Sequence, residues 1–160
     1  MANSLDDVVS AALRVLDGFG LEFCSMRRVA AELGVQPSAL YHHVADKQTL
    51  LALMADRIVA GVEVGEDPAT AAHGLRRAML SVRDGADVVA TASAFRLGIS
   101  HVESRLAELT DPDLARTLLL YVFGHTQATQ MHAQAVAVGM LEPDPDLEDS
   151  FARGLALILR

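Results

Sequence analysis

The side chains best suited to bind a charged partner are concentrated in one short segment of the sequence. Positions 25–47 hold Arg27, Arg28, Tyr41 and Lys47, the last being the only lysine of the chain. An arginine guanidinium is a flat fork of donors that matches the edge of guanine, while tyrosine and lysine donate to phosphate oxygens. The chemistry that these residues favour is recognition of a nucleic acid.

The acidic balance of the chain restricts any such contact to a small local patch. The net charge is −8; residues 1–63 hold five basic and eight acidic groups, and residues 64–160 hold eight and thirteen. Neither part is a basic domain of the kind that binds nucleic acid through its overall charge. The alternative, that the basic residues of positions 25–47 are ordinary solvated surface charges, stays open on charge alone.

The six histidines and the single cysteine do not form a recognisable metal or catalytic motif. His125 and His132 share a helix face, but two turns separate them by about 10.5 Å, which is too far for one ion. The adjacent His42 and His43 diverge by about 100° on a helix. Cys24 follows an apolar residue and is expected to be a buried small hydrophobe. We therefore predict no metal site, no cofactor and no enzymatic activity.

The elements that position these residues are predicted to be helices, because apolar residues recur with helical spacing and no alternating strand pattern is present. A run of glycine, acids and proline at residues 65–68 predicts a boundary. We expect one domain over residues 1–63 and a second over 64–160. The predicted helices are 4–18, 26–33, 37–43 and 46–61 in the first domain, and 68–84, 86–91, 93–109, 113–140 and 146–159 in the second.

The second and third predicted helices are joined by only three residues, 34–36, which predicts a helix-turn-helix. Gly34 can take the positive φ that the turn requires, and Leu40 can anchor the third helix. The remaining face of that helix carries Tyr41 and His42 and contains no acid. A short helix left half-buried with such a face is suited to the major groove, although an ordinary corner between two core helices remains the alternative.

The same segment resembles the DNA-binding module of the tetracycline-repressor (TetR) family. The resemblance is carried by residues 25–35, 40–44 and 47, together with Leu50 and Leu51. Weaker similarity to this family continues at residues 83–86, 121–124, 130–132 and 154–158.

The resemblance implies an all-α fold, with an N-terminal three-helix helix-turn-helix DNA-binding module followed by a larger helical ligand-binding and dimerisation domain. By position, Arg27 would read a base and residues 36–39 would lie at base edges. Tyr41, His43 and Lys47 would hold phosphates. The full set of predicted DNA-binding residues is Ser25, Arg27, Arg28, Gln36, Pro37, Ser38, Ala39, Tyr41, His42, His43 and Lys47.

Two residues depart from the family pattern. Met26 replaces a residue that commonly carries a hydroxyl group, and His42 stands where an aromatic residue is frequent. Both differences concern which operator sequence is recognised. In the subgroup that residues 83–86 resemble, a histidine shortly after this segment holds a metal–drug chelate. Here the corresponding residue is Val89, so a metal–tetracycline ligand is not expected.

A small-molecule effector would bind inside the larger domain, although plain core packing is the alternative for each residue proposed to line the site. The predicted lining residues are Met79, Val82, Val89, Phe95, His101, Leu119, Phe123, Gln127, Met131 and His132.

The implied function is that of a transcriptional repressor that binds a palindromic double-stranded operator as a homodimer and is released by an effector. The subunits would pair through the helices near 113–140 and 146–159. No apolar run reaches the roughly 20 residues that span a bilayer, and the N-terminus lacks the basic segment of a secretory signal, so a cytoplasmic location is expected. The alternative function is an all-helical small-molecule carrier or interaction protein without specific DNA binding.

Overall fold

The computed structural model describes residues 3–160, and the regular structure in this range is helical. This confirms the predicted all-α fold. Met1 and Ala2, which belong to the first predicted domain, lie outside the described residues. The elements are α1 (Leu5–Phe19), a 3₁₀ turn (Leu21–Phe23), α2 (Met26–Leu33), α3 (Pro37–Leu40), α4 (Lys47–Val59), α5 (Pro68–Leu80), α6 (Gly85–Ala94), α7 (Ser100–Leu109), α8 (Pro112–Ala137) and α9 (Leu147–Ile158).

Several helices begin at side-chain caps that the sequence predicts. Ser25 accepts the Arg28 N–H at the start of α2, and Asp46 accepts the Thr49 N–H at the start of α4. This second hydrogen bond lowers the pKa of the Asp46 carboxyl group. Each cap satisfies a backbone donor that the helix leaves without an internal partner. The predicted starts of these two helices are therefore confirmed.

Several predicted helix ends differ from the structure by one to four residues; helix 68–84, for example, ends at Leu80. The first helix does not stop at Gly18 but continues to Phe19, because Gly20 is the residue that adopts positive φ, at 82°. The third helix ends at Leu40 instead of residue 43. There the N–H groups of His43 and Val44 both donate to the Leu40 carbonyl oxygen, which closes the chain into a turn.

The prediction of helices 86–91 and 93–109 is also wrong, because α6 continues to Ala94 and α7 begins only at Ser100. Between them the backbone takes positive φ at Arg96, Gly98 and Ile99. A Cβ atom at Gly98 would lie 2.8 Å from the carbonyl oxygen of Ala52, so this segment is pressed closely against α4. The predicted helix 113–140 is shorter as well, and ends at Ala137 before Gly139, where φ is 74°.

One aliphatic core continues across the predicted boundary at residue 63. Helix α4 makes this connection, since it packs against α1 on one side and against α6 on the other. The division into a domain of residues 1–63 and one of residues 64–160 therefore remains a prediction. No helix in the described part of the chain is long and apolar enough to cross a membrane. The largest buried side chains of the core include Leu16, Leu40, Leu50, Met54, Leu75, Met79, Leu118 and Phe151.

Candidate nucleic-acid interface

The turn between α2 and α3 has the geometry of a helix-turn-helix. Gly34 lies in the left-handed region with φ of 68°, as the sequence predicts. The N–H of Gly34 donates to the carbonyl oxygen of Ala31 at 3.1 Å, and the N–H of Val35 donates to that of Ala30 at 3.0 Å. These bonds satisfy the last carbonyl groups of α2 and redirect the chain into α3.

Helix α3 is a single turn that one large side chain anchors to the core. Leu40 is 1% exposed, and Val44, just beyond the helix, is buried to the same extent. Pro37 occupies the first helical position, where its missing N–H costs no hydrogen bond. The buried residues Val29 and Ala30 of α2 provide the surface on which this turn rests. The position of α3 therefore depends strongly on Leu40.

The outer face of α3 and of the turn that follows is open to solvent. Tyr41 is 56% exposed, and Gln36, Ser38, His42 and His43 are exposed as well. No residue from 36 to 43 is acidic. A surface of this kind presents hydrogen-bond donors and an aromatic ring without a charge that repels phosphate. Of the other predicted contact residues here, Pro37 and Ala39 are half-buried at the base of the same face.

The adjacent arginines of α2 differ in their surroundings. Arg27 is exposed, whereas Arg28 is half-buried, with its guanidinium carbon 4.3 Å from the ring centre of Phe19 and 5.7 Å from that of Phe23. A cation over an aromatic face is attracted by the electrons of the ring. These two phenylalanines were not identified from the sequence as part of the site. The available signal is that both are large apolar residues close to Gly20, where the chain turns back towards α2.

The acids nearest to this surface are engaged in other interactions. Glu32, the acid of α2, pairs with Arg14 of α1 at 2.8 Å. Asp46 accepts the N–H of Thr49 at 2.7 Å and caps α4. Lys47, at the first position of α4, is half-buried, and Ser25 is exposed at the start of α2. Positive and neutral donors therefore dominate the open face.

The ten residues predicted to line an effector site are distributed between the core and the surface. Gln127 donates to Oδ1 of Asp87 at 2.8 Å, and His132 Nε2 accepts the N–H of Asp144 at 3.2 Å. Buried are Met79, Val89, Leu119 and Phe123; half-buried are Val82, Gln127 and His132; exposed are Phe95, His101 and Met131.

Two open surface cavities of the described chain are lined by other residues. One, of about 460 Å³, lies between the end of α4 and α5, with Val62, Gly74 and Arg77 on its walls. The second, of about 450 Å³, lies between α1 and α4. The assignment of the ten residues to an effector site therefore stays a prediction.

A hydrogen-bonded link between α8 and the first turn after α1 was not foreseen. Gln134 donates to Oδ1 of Asp84 at 2.6 Å, and Oδ2 of Asp84 accepts the N–H of Leu21 at 2.8 Å. One turn earlier on α8, Gln130 donates to the carbonyl oxygen of Val82 and accepts the N–H of Ala86. These contacts fix the junction of α5 and α6 between α8 and the N-terminal helices. The glutamines recur at helical spacing, but their partners lie more than forty positions away.

Comparison with known proteins assigns the chain to a family. The family model for bacterial regulatory proteins of the tetR family matches residues 8–54, which contain α2, the turn and α3. The crystal structure of BioQ from Mycobacterium smegmatis superposes with a TM-score of 0.87 at 32% sequence identity, over 98% of this chain and 96% of that one. The chain belongs to the TetR family. This confirms the resemblance, and the family is one of regulators.

Individual TetR-family relatives match over different lengths. The HTH-type transcriptional repressor DrrR1 of Streptomyces coeruleorubidus is 48% identical over 77 residues, which are 48% of this chain and 27% of DrrR1. The class E tetracycline repressor protein of Escherichia coli is 32% identical over 129 residues. The matched segment is 74% of this chain and 61% of that repressor. BioQ has also been solved with its natural double-stranded DNA operator; that structure has a TM-score of 0.82, 31% identity, and coverage of 98% and 96%.

Proposed function

We propose that this TetR-family chain is a transcriptional repressor that binds a near-palindromic operator as a homodimer and is released by a small-molecule effector. The observation that carries the proposal is the open, acid-free face of residues 36–43, held outward by the buried Leu40. The structure of BioQ with its operator supports the same role for this chain, because the two chains superpose over almost their full lengths.

Within this proposal the exposed residues divide the work of recognition. Arg27 is free of the aromatic contacts that hold Arg28, so its guanidinium can reach a guanine edge. Residues 36–39 stand at the base edges. Tyr41, together with His43 and Lys47, donates to phosphate oxygens and fixes the register of the helix on the duplex.

Exposed apolar side chains on α8 and α9 support pairing of two chains. Leu120 of α8 is 62% exposed and Leu157 of α9 is 60% exposed. Large exposed apolar side chains on the two helices predicted to pair are what a subunit interface would bury. An isologous contact through these helices would place two copies of α3 in successive major grooves, about 34 Å apart. The operator would then be close to a palindrome.

Release by an effector requires the effector to prefer a state in which the two copies of α3 are wrongly spaced. Helix α4 can transmit this change, since Oδ1 of Asp56 accepts the N–H of Ile99 at 2.5 Å and so ties α4 to the segment before α7. Thermodynamic reciprocity then requires DNA to weaken effector binding by the same factor.

A gel-shift assay with the DNA upstream of the chain's own gene tests the proposal. We expect specific retardation that Arg27→Ala and Tyr41→Ala each weaken clearly. Arg105→Ala, which removes the same charge from an exposed position of α7, is the matched control and should bind like the wild type.

The second candidate is a helical carrier without specific DNA binding, which the net charge of −8 favours. Retardation that is weak, disappears at modest salt and is the same for Arg27→Ala and Arg105→Ala would support the carrier and contradict the repressor.

A further inference from the structure

The interior of the larger helical region contains a cation that is only partly paired. Arg76 of α5 is 2% exposed, and its guanidinium carbon lies 4.7 Å from the ring centre of Phe151 on α9. Its Nη2 donates to Oε2 of Glu148 at 2.8 Å and lies 3.5 Å from Oγ1 of Thr129. The Nε and Nη1 atoms are buried and have no hydrogen-bond partner among the described residues.

A buried guanidinium in this condition needs a further acceptor. Arginine keeps its charge at every physiological pH and carries five N–H donors. Removing such donors from water without supplying an acceptor opposes folding, and it does so more strongly for a charged group than for a neutral one. Two donor atoms of Arg76 are in this position, so the guanidinium can still bind an acceptor that no described residue supplies.

The one carboxylate paired with Arg76 in the described part of the chain is poorly buried. The side chain of Glu148 is 74% exposed, whereas that of Arg76 is 2% exposed. Glu148 belongs to the first turn of α9 and reaches only Nη2 from the solvent side. A carboxylate that approached the Nη1–Nη2 edge with both oxygens would use the guanidinium fork more fully. Glu148 is therefore a replaceable partner.

Apart from the Glu148 carboxylate, the polar side chains beside this cation are neutral. His125 Nε2 lies 2.9 Å from Oγ of Ser150, and its Nδ1 lies 3.3 Å from Oγ1 of Thr129. Burial lowers the pKa of His125, and the charge of Arg76 lowers it further. The imidazole therefore supplies no second positive charge. One buried cation balances one negative charge, which favours a monocarboxylate over a phosphate dianion.

Helix α9 is held against α8 by the side chain of Tyr121. The Tyr121 hydroxyl group donates to the carbonyl oxygens of Ser150 at 3.2 Å and Phe151 at 3.0 Å. A Cβ atom at Gly154 would lie 2.1 Å from this hydroxyl oxygen, so α9 sits directly against Tyr121 of α8. These contacts hold α9 in place independently of the exposed Glu148 side chain.

We propose that Arg76 binds the carboxylate of a small monocarboxylic acid, and that Glu148 takes the place of this carboxylate when the acid is absent. Thr129 and His125 offer neutral hydrogen-bonding groups beside it. This inference deepens the proposed function by naming the chemical class of the effector. It depends on that function only for the release of DNA, because binding of the acid requires no operator.

The test uses the purified full chain and two probe acids, butyrate and benzoate, with the neutral isostere butyramide as a control ligand. Isothermal titration calorimetry at pH 7 should show binding of at least one acid and none of butyramide. Glu148→Gln removes the internal competitor and should tighten binding by about tenfold. The matched control Glu142→Gln, also an exposed acid that loses its charge, should bind like the wild type.

Substitution of the cation should have the opposite effect. Arg76→Met should abolish binding, and Arg76→Lys, which keeps the charge but loses the planar fork, should weaken it. If Arg76→Met does not fold, the Glu148→Gln and Glu142→Gln pair still decides the matter, since both substitutions lie at the surface.

Three results would overturn the site. These are no binding of either acid by wild type and Glu148→Gln, equal affinities in Glu148→Gln and Glu142→Gln, and a change in subunit dissociation as the only effect of Arg76→Met. The last would mean that the partner subunit supplies the missing acceptor. Because calorimetry contains no DNA, a chain that binds the acid but no operator would contradict the proposed function and leave the carboxylate site standing.

Discussion

The helix-turn-helix and the α5–α8–α9 layer place their arginines in opposite environments. Arg27 is exposed beside the acid-free face of α3, whereas Arg76 is buried and keeps two donor atoms that no described residue pairs with. An exposed cation is well hydrated and needs no fixed partner, so it is free to meet a large polyanion in a salt-dependent way. A buried cation has already lost its water and requires a small, specific acceptor. The same residue type thus predicts two different kinds of ligand.

The largest effect is expected where the exposed face depends on the core. Leu40→Ala removes the only fully buried side chain of α3, and we expect a loss of about 2–5 kcal/mol in the free energy of unfolding. Urea denaturation measures this loss. Leu5→Ala, in which a 41% exposed leucine of α1 is truncated, should cost clearly less. Equal losses would show that Leu40 does not anchor the face.

Substituting the two adjacent arginines of α2 should affect operator binding and stability differently. Arg27→Ala should weaken operator binding by about 1–3 kcal/mol, or roughly 5- to 150-fold, and leave the unfolding free energy nearly unchanged. Arg28→Ala should also reduce stability, because Arg28 packs against Phe19 and Phe23. Fluorescence anisotropy with labelled operator and urea denaturation measure the two quantities. Identical behaviour of the two variants would contradict the different roles.

A phosphate contact should be visible mainly in the salt dependence. Lys47→Met should reduce the slope of log affinity against log salt concentration by about one, and lower affinity equally for related operator sequences. Anisotropy titrations over a series of salt concentrations give the slope. Arg105→Ala, at an exposed position of α7, should leave the slope unchanged. An unchanged slope in Lys47→Met would place Lys47 outside the interface.

The smallest expected effect is a pH dependence of stability that arises from His125 in the α5–α8–α9 layer. Because burial and Arg76 lower the pKa of His125, the folded state favours the neutral imidazole. As pH falls below the ordinary histidine value of about 6.5, the unfolded chain binds more protons than the folded one, so stability is lost on acidification. His125→Gln should flatten this dependence in urea midpoints measured from about pH 7.5 to 5. A wild-type slope in His125→Gln would contradict the assignment.

The helix-turn-helix could be predicted because it depends on residues close together in sequence. The break between α6 and α7 and the environment of Arg76 depend on contacts between distant residues, so the sequence did not predict them. Gly34 and the cap at Ser25 act within a few positions, so they can be read directly. The break between α6 and α7 depends instead on the close approach of Gly98 to Ala52, and the ion pair of Arg76 with Glu148 joins positions 72 apart. No spacing rule connects such residues. Exposure of Phe95, His101 and Met131 likewise follows from how the helices pack, which periodicity alone does not determine.

The central claim is that two copies of the chain bind one operator, each through the exposed face of its α3. It is tested most directly by titrating the protein into labelled duplex from the region upstream of its own gene. Anisotropy would be followed at a salt concentration of about 0.15 M, with excess shuffled duplex as competitor. The account predicts saturable binding of two chains per duplex that survives the competitor, and at least roughly fivefold weaker binding by Arg27→Ala. Equal affinity for both duplexes, unchanged by Arg27→Ala, would contradict it.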